Sequence, residues 1–114
     1  MHTVLLVLQS EDFRLAIQET LQEHYCVIMA HDAPSGAVLL QKCPDILMLD
    51  LFLPETDGFQ FLEDNHCLLP PMILLFTTFA DLQILNTASD LGVDAVFMKP
   101  CSISAVLKWL KTQI

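Results

Sequence analysis

Basic residues are scarce in this chain: five Lys and Arg stand against fourteen Asp and Glu, a formal net charge of −9. A domain this acidic repels phosphate backbones and anionic lipid, which argues against nucleic acid or a membrane surface as a direct partner of these residues. Long hydrophobic runs are missing as well. None approaches the roughly 18–20 apolar residues that span a bilayer, and the opening Met1-His2-Thr3-Val4 lacks the basic flank of a signal peptide. A cytoplasmic setting is the expectation. Cys26, Cys43, Cys67 and Cys101 form no C-x-x-C pair, and His2, His24, His31 and His66 keep no ligand spacing. Free thiols packed as small apolar groups are therefore expected, in place of disulfides or a zinc site. No repeat, low-complexity tract or linker interrupts the chain.

Core-forming material is abundant. Hydrophobic residues make up 54% of the 114 residues, enough for one domain spanning residues 1–114. The most informative stretch is Asp45-Ile-Leu-Met-Leu-Asp50-Leu-Phe-Leu-Pro54-Glu-Thr-Asp57-Gly58. Ile46 to Leu49 can be buried on both faces only as a central parallel strand, and Pro54 with Asp57-Gly58 then forces a loop and turn. Asp50 thus sits at the carboxyl end of a strand, the edge of an open α/β sheet where ligands and chemistry collect. The plainer role for such an Asp is to cap the next helix.

Apolar runs alternate with amphipathic stretches along the whole chain. Strands are predicted at Thr3 to Leu8, Tyr25 to Ala30, Ile46 to Asp50, Met72 to Phe76 and Asp94 to Met98. Helices are predicted at Asp12 to His24 behind Ser10, Ala33 to Lys42 behind Asp32, Gly58 to Asn65, Asp81 to Leu91 ahead of Gly92, and from Ile103 to the chain's end. Five βα units in succession imply a parallel sheet with helices on both faces and right-handed crossovers. A flavodoxin-like (βα)5 three-layer sandwich with strand order 2-1-3-4-5 follows.

That topology brings Gln9, Asp50, Thr77 and Lys99 to one edge although they are far apart in sequence. A carboxylate, a hydroxyl and an ammonium meeting there suit capture of a phosphoryl group by the Asp. Lys99 would offset an added charge of roughly −2, and Thr77 would donate to a phosphate oxygen. Singly, Lys99 could equally be an ordinary ion-pair partner and Thr77 a helix N-cap.

With Pro44-Asp45-x4-Asp50-x3-Pro54-x2-Asp57-Gly58, Thr77, Asp81, Gly92-Val93-Asp94 and Lys99-Pro100 in these positions, the chain resembles the receiver (CheY-like) domain of two-component response regulators. The resemblance extends over essentially its whole length. It implies a signalling module rather than an enzyme. Asp50 would accept a phosphoryl group from a histidine kinase or phosphotransfer protein, Thr77 would be the switch hydroxyl and Lys99 the phosphate-contacting lysine, followed by a cis peptide before Pro100. Any output domain would lie outside these residues.

Two departures accompany the match. Receivers usually carry two acidic residues directly after the first strand, which help to hold Mg²⁺; aligning Arg14 with the family's basic residue puts Leu8 and Gln9 there. Sliding the register by three residues would substitute Glu11 and Asp12, at the cost of a strand running past Ser10 and a shorter helix. With Leu8 and Gln9 in place, the remaining donors are Asp50, the Phe52 backbone carbonyl and the neutral Gln9 amide. Each lost carboxylate forfeits several kcal/mol of attraction to a dication at close range. No cofactor, or a weakly bound Mg²⁺, is expected. The second departure is Val96, three residues before the lysine, where the family usually has a Tyr or Phe.

Two readings remain. In one the chain is a phosphorylatable receiver; in the other it is a pseudo-receiver, a protein-interaction or dimerisation module working without phosphorylation. A flavodoxin-type FMN carrier is disfavoured because no Ser/Thr/Gly-rich phosphate loop follows the first strand. The fourth helix, with Leu82, Ile84, Leu85 and Ala88, and the fifth, with Val106, Leu107, Trp109 and Leu110, carry more apolar positions than one core-facing stripe requires. Some are expected to stay exposed and pair with a second copy through the helix 4–strand 5–helix 5 face; the plainer expectation is that all are core.

Overall fold

In the computed structural model, which describes residues 1–113, every predicted apolar run becomes a strand. In chain order these are β1 (Thr3–Val7), β2 (Cys26–Ala30) and β3 (Ile46–Asp50), then a hairpin of β4 (Phe52–Leu53) and β5 (Thr56–Asp57), then β6 (Met72–Thr77) and β7 (Ala95–Met98). The five long strands are all parallel, in the order β2-β1-β3-β6-β7. With the hairpin set apart, this is the 2-1-3-4-5 order of the flavodoxin-like fold.

The helices are α1 (Glu11–Leu21), α2 (Ala33–Leu40), α3 (Gly58–Asp64), α4 (Leu82–Asp90) and α5 (Ile103–Gln113), with a 3₁₀ turn at His66–Leu68. Ile114, the predicted end of the last helix, lies outside the described residues. The first four start on a side-chain cap: Ser10, Asp32, Asp57 and Asp81 accept from the backbone N–H of Phe13, Ser35, Gln60 and Ile84. Hydrogen bonds from Ser35 hold the Asp32 carboxyl below the usual carboxylate range.

Strand alternation divides the core in two. Leu5, Val7, Leu47, Leu49 and Leu75 pack on one side with Leu40, Phe61, Leu62 and Ala88 from α2, α3 and α4. Val4, Leu6, Ile46, Met48, Leu74 and Phe76 pack on the other with Ile17 and Leu21 of α1 and Val106 and Leu110 of α5. Two aspartates finish strand starts: Asp45 Oδ2 accepts from the Thr3 N–H and Asp94 Oδ2 from the Ile73 N–H, both at 2.8 Å. Each satisfies a strand-initial donor that the ladder leaves open.

Two expectations need correction. The four thiols are free, but Cys26, Cys43 and Cys67 are exposed and only Cys101 is half-buried. They stand at a strand start and in turns, where no core is available to them. The apolar surplus of α4 and α5 is also unequal. Ala88, Val106 and Leu110 are core, and Ile84, Leu107 and Trp109 pack against it, whereas Leu82 and Leu85 of α4 remain exposed beside Phe79 and Met98. Among the described residues no helix is long and apolar enough to cross a membrane.

Candidate phosphoryl-acceptor site

β3 delivers Asp50 to the carboxyl edge, and the loop beyond it is held by main-chain bonds. The Leu51 N–H donates to the Phe76 carbonyl at 2.8 Å and the Gly58 N–H to the Leu51 carbonyl at 2.6 Å. This close approach requires a glycine at 58, since a Cβ there would meet the Asp50 carbonyl oxygen at 2.7 Å and Leu51 Cα at 3.1 Å. Both are backbone atoms and cannot rotate away. Gly58→Ala is expected to cost about 1–3 kcal/mol through overpacking and to displace Asp50. A urea titration should find the loss, and unchanged stability would mean that the loop is loose.

Asp50 is buried, with 3% of its surface exposed. Its Oδ2 accepts the Gln9 backbone N–H at 2.8 Å, and its Oδ1 lies 2.6 Å from Lys99 Nζ. The ammonium approaches off the oxygen's hydrogen-bonding directions, so the contact is charge to charge and Oδ1 accepts no directed hydrogen bond. Lys99 in turn lies over the Phe13 ring, 5.0 Å from its centroid. Its own backbone is anchored by an N–H donated to the Thr77 carbonyl at 2.7 Å, and a cis peptide joins it to Pro100.

Gln9, Ser10, Asp50, Phe52, Thr77 and Lys99 line one cavity of about 430 Å³. The sequence had thus singled out four residues that the fold does bring together. Thr77 reaches the cavity wall, but its hydroxyl donates to the Phe79 carbonyl at 2.8 Å and accepts the Phe79 N–H at 3.2 Å. It does not cap α4, since Asp81 does. To reach a phosphate oxygen it must let go of Phe79.

β1 ends at Val7 and α1 begins at Glu11, so Leu8 and Gln9 stand beside Asp50 and the three-residue slide does not occur. Leu8 is wholly buried, on the α1–α5 side of the core. Arg14, which served the sequence reading only as a marker of register, proves to be a positioning residue. Its Nη1 donates to the Leu8 carbonyl at 2.6 Å and more weakly to the Gln9 carbonyl at 3.4 Å, fixing the turn that aims the Gln9 N–H. A basic residue one turn into the first helix was the available signal. Val96 is half-buried against the α2–α4 side of the core, and Phe97 points to the other face, stacked on Phe76 at 5.4 Å. No aromatic side chain occupies position 96 to move with Thr77.

Residues 4–111 match the family described as the response regulator receiver domain. The chain belongs to that family. It is 30% identical to the transcriptional regulatory protein YxdJ of Bacillus subtilis over all of this chain and 51% of that protein. It is 29% identical to the transcriptional regulatory protein CpxR of Klebsiella pneumoniae over 88% of this chain and 44% of that one. The receiver therefore spans about half the length of these regulators. Among solved structures, the Vibrio cholerae chemotaxis protein CheY4 superposes with a TM-score of 0.90 at 27% identity, covering 100% of this chain and 99% of that one. A CheY-like receiver domain protein from Methanospirillum hungatei does so at 0.90 and 25% identity, covering 99% and 93%.

The Mg²⁺ that the receiver resemblance implies finds a poor fit here. Leu8 offers an aliphatic side chain turned into the core, and both Asp50 oxygens already face donors of the protein itself. Among the described residues no three His, Cys, Asp or Glu side chains converge. At an effective dielectric near 20, each missing carboxylate about 4 Å from a dication removes on the order of 8 kcal/mol of attraction before desolvation.

Proposed function

We propose that this receiver accepts a phosphoryl group on Asp50 from a histidine kinase or phosphotransfer protein and thereby regulates a partner or output domain. The buried Asp50 oxygen that accepts no hydrogen bond, open to the cavity and beside Lys99, carries this reading. Phosphoryl transfer asks little covalent chemistry of a protein, and positioning with counter-charge does most of the work. Asp50 supplies the nucleophile, Lys99 takes up the added charge, and Thr77 exchanges its bond to Phe79 for one to a phosphate oxygen. Release of Phe79 would then be felt by Leu82 and Leu85 on the same exposed apolar face. Intact-mass measurement after exposure to a phosphodonor should show one added phosphoryl group on the parent and none on Asp50→Asn.

The exposed quartet Phe79, Leu82, Leu85 and Met98 supports a homodimer or partner contact through the α4–β7–α5 face. Leu82→Glu with Leu85→Glu is expected to abolish any concentration-dependent self-association in sedimentation equilibrium, with stability changed by less than about 0.5 kcal/mol because both positions are exposed. A strictly monomeric parent at high concentration would remove the homodimer. The departures at Leu8, Gln9 and Val96 favour a second reading, a pseudo-receiver that acts through this face without phosphorylation; absence of any labelling of Asp50 would select it.

A further inference from the structure

We infer that the Asp50 pocket accepts its phosphoryl group without a divalent cation, using the Gln9 backbone N–H and the Lys99 ammonium where a receiver would use a metal. The inference rests on the reading of Asp50 as phospho-acceptor. Its argument starts from the two carboxylate oxygens. A metal-supported acceptor must present one oxygen to the cation and the other to phosphorus. Here Oδ2 is held by the Gln9 N–H at 2.8 Å, and that N–H is itself held in place through the Arg14 bonds to the Leu8 and Gln9 carbonyls. The oxygen that would face the metal is therefore satisfied by the main chain. The positions that would add negative charge hold Leu8, which is buried, and Gln9, which is neutral.

Charge bookkeeping points the same way. Among the residues lining the cavity, Asp50 and Lys99 are the charged ones, and their charges cancel. A dication entering would find no net negative charge and would meet the Lys99 ammonium at close range. A dianionic phosphoryl group would instead meet that ammonium directly, with the Thr77 hydroxyl on the cavity wall as a second donor. In the transfer, Asp50 Oδ1 forms the bond to phosphorus as the P–N bond of an N-phosphoryl donor breaks, and the nitrogen leaves in protonated form. No metal is needed to balance the step. Lys99 stays protonated throughout and moves from the carboxylate to the new phosphoryl oxygens.

The test uses the 114-residue chain, with phosphoramidate as donor, in chelator and in millimolar Mg²⁺, followed by intact mass, with Asp50→Asn as site control. Backbone NMR during Mg²⁺ titration supplies a readout independent of labelling. The expected result is labelling of the parent alone, at rates in chelator and in Mg²⁺ that agree within about twofold, whereas a metal-supported transfer would slow by more than about a hundredfold on chelation. The Gln9, Asp50 and Lys99 amides should show no saturable shift. Labelling that requires Mg²⁺, or saturable shifts at those amides, would overturn this inference and leave Asp50 as the acceptor. Absence of labelling in both conditions would overturn the acceptor reading itself, and this inference with it.

Discussion

Lys99→Met should destabilise the protein by about 3 kcal/mol, because it strands the Asp50 carboxylate in the interior without its only counter-charge. Asp50 has 4% of its side chain exposed and Lys99 21%, so the two partners are not equivalent. Methionine keeps the aliphatic contact with Phe13 and removes the charge alone. Asp50→Asn leaves the ammonium unpaired, but that group can turn toward solvent, and a smaller loss of about 1 kcal/mol is expected. The double variant Asp50→Asn with Lys99→Met should recover much of what Lys99→Met loses, a coupling that a double-mutant cycle measures directly. Urea unfolding followed through Trp109 is the assay. A Lys99→Met variant as stable as the parent would show that water or the Gln9 N–H alone suffices to hold the buried charge.

The second large effect comes from restoring the family's acidic pair. Leu8→Asp with Gln9→Asp places a carboxylate where a wholly buried leucine packs among Ile17, Met48 and Phe76. In chelator the variant loses the burial of that leucine, about 1.5–3 kcal/mol, and further stability from repulsion between the new carboxylates and Asp50. A total loss of about 3–5 kcal/mol is expected. Mg²⁺ should draw the new carboxylates toward Asp50 and the Phe52 carbonyl and restore about 2.7 kcal/mol once its concentration reaches about a hundred times Kd. The parent should not respond. Thermal melts of both proteins in chelator and in Mg²⁺ decide the matter, and an equal gain in parent and variant would mean that the parent already binds the metal.

Much of the site was legible because its members end regular elements. Asp50 closes an apolar run, Lys99 precedes a proline, and Gly58 follows the aspartate that caps α3. Patterns of period two and 3.6 are local, so strands and helices can be read without knowing what they touch. The β4–β5 hairpin was read only as a loop and turn. Its turn, Pro54-Glu55, carries φ 65° at Glu55, a conformation usually announced by Gly or Asn. The 3₁₀ turn at His66–Leu68 was missed for a similar reason, since three residues carry no period.

Composition and periodicity by themselves determined the class of fold, the order of its elements and the edge at which Asp50, Thr77 and Lys99 gather. They also determined the loss of the acidic pair, because Leu8 and Gln9 are simply what the chain has at those positions. Only the tertiary structure decided what that loss becomes. The Gln9 N–H reaches Asp50 across 41 residues, Arg14 pins the turn that aims it, and Thr77 spends its hydroxyl on Phe79. It also decided which apolar residues of α4 and α5 are core and which, Leu82 and Leu85, are surface. Such outcomes depend on the angle and spacing at which separate elements pack. Backbone donors look alike in any sequence, and their partners exist only once the chain has folded.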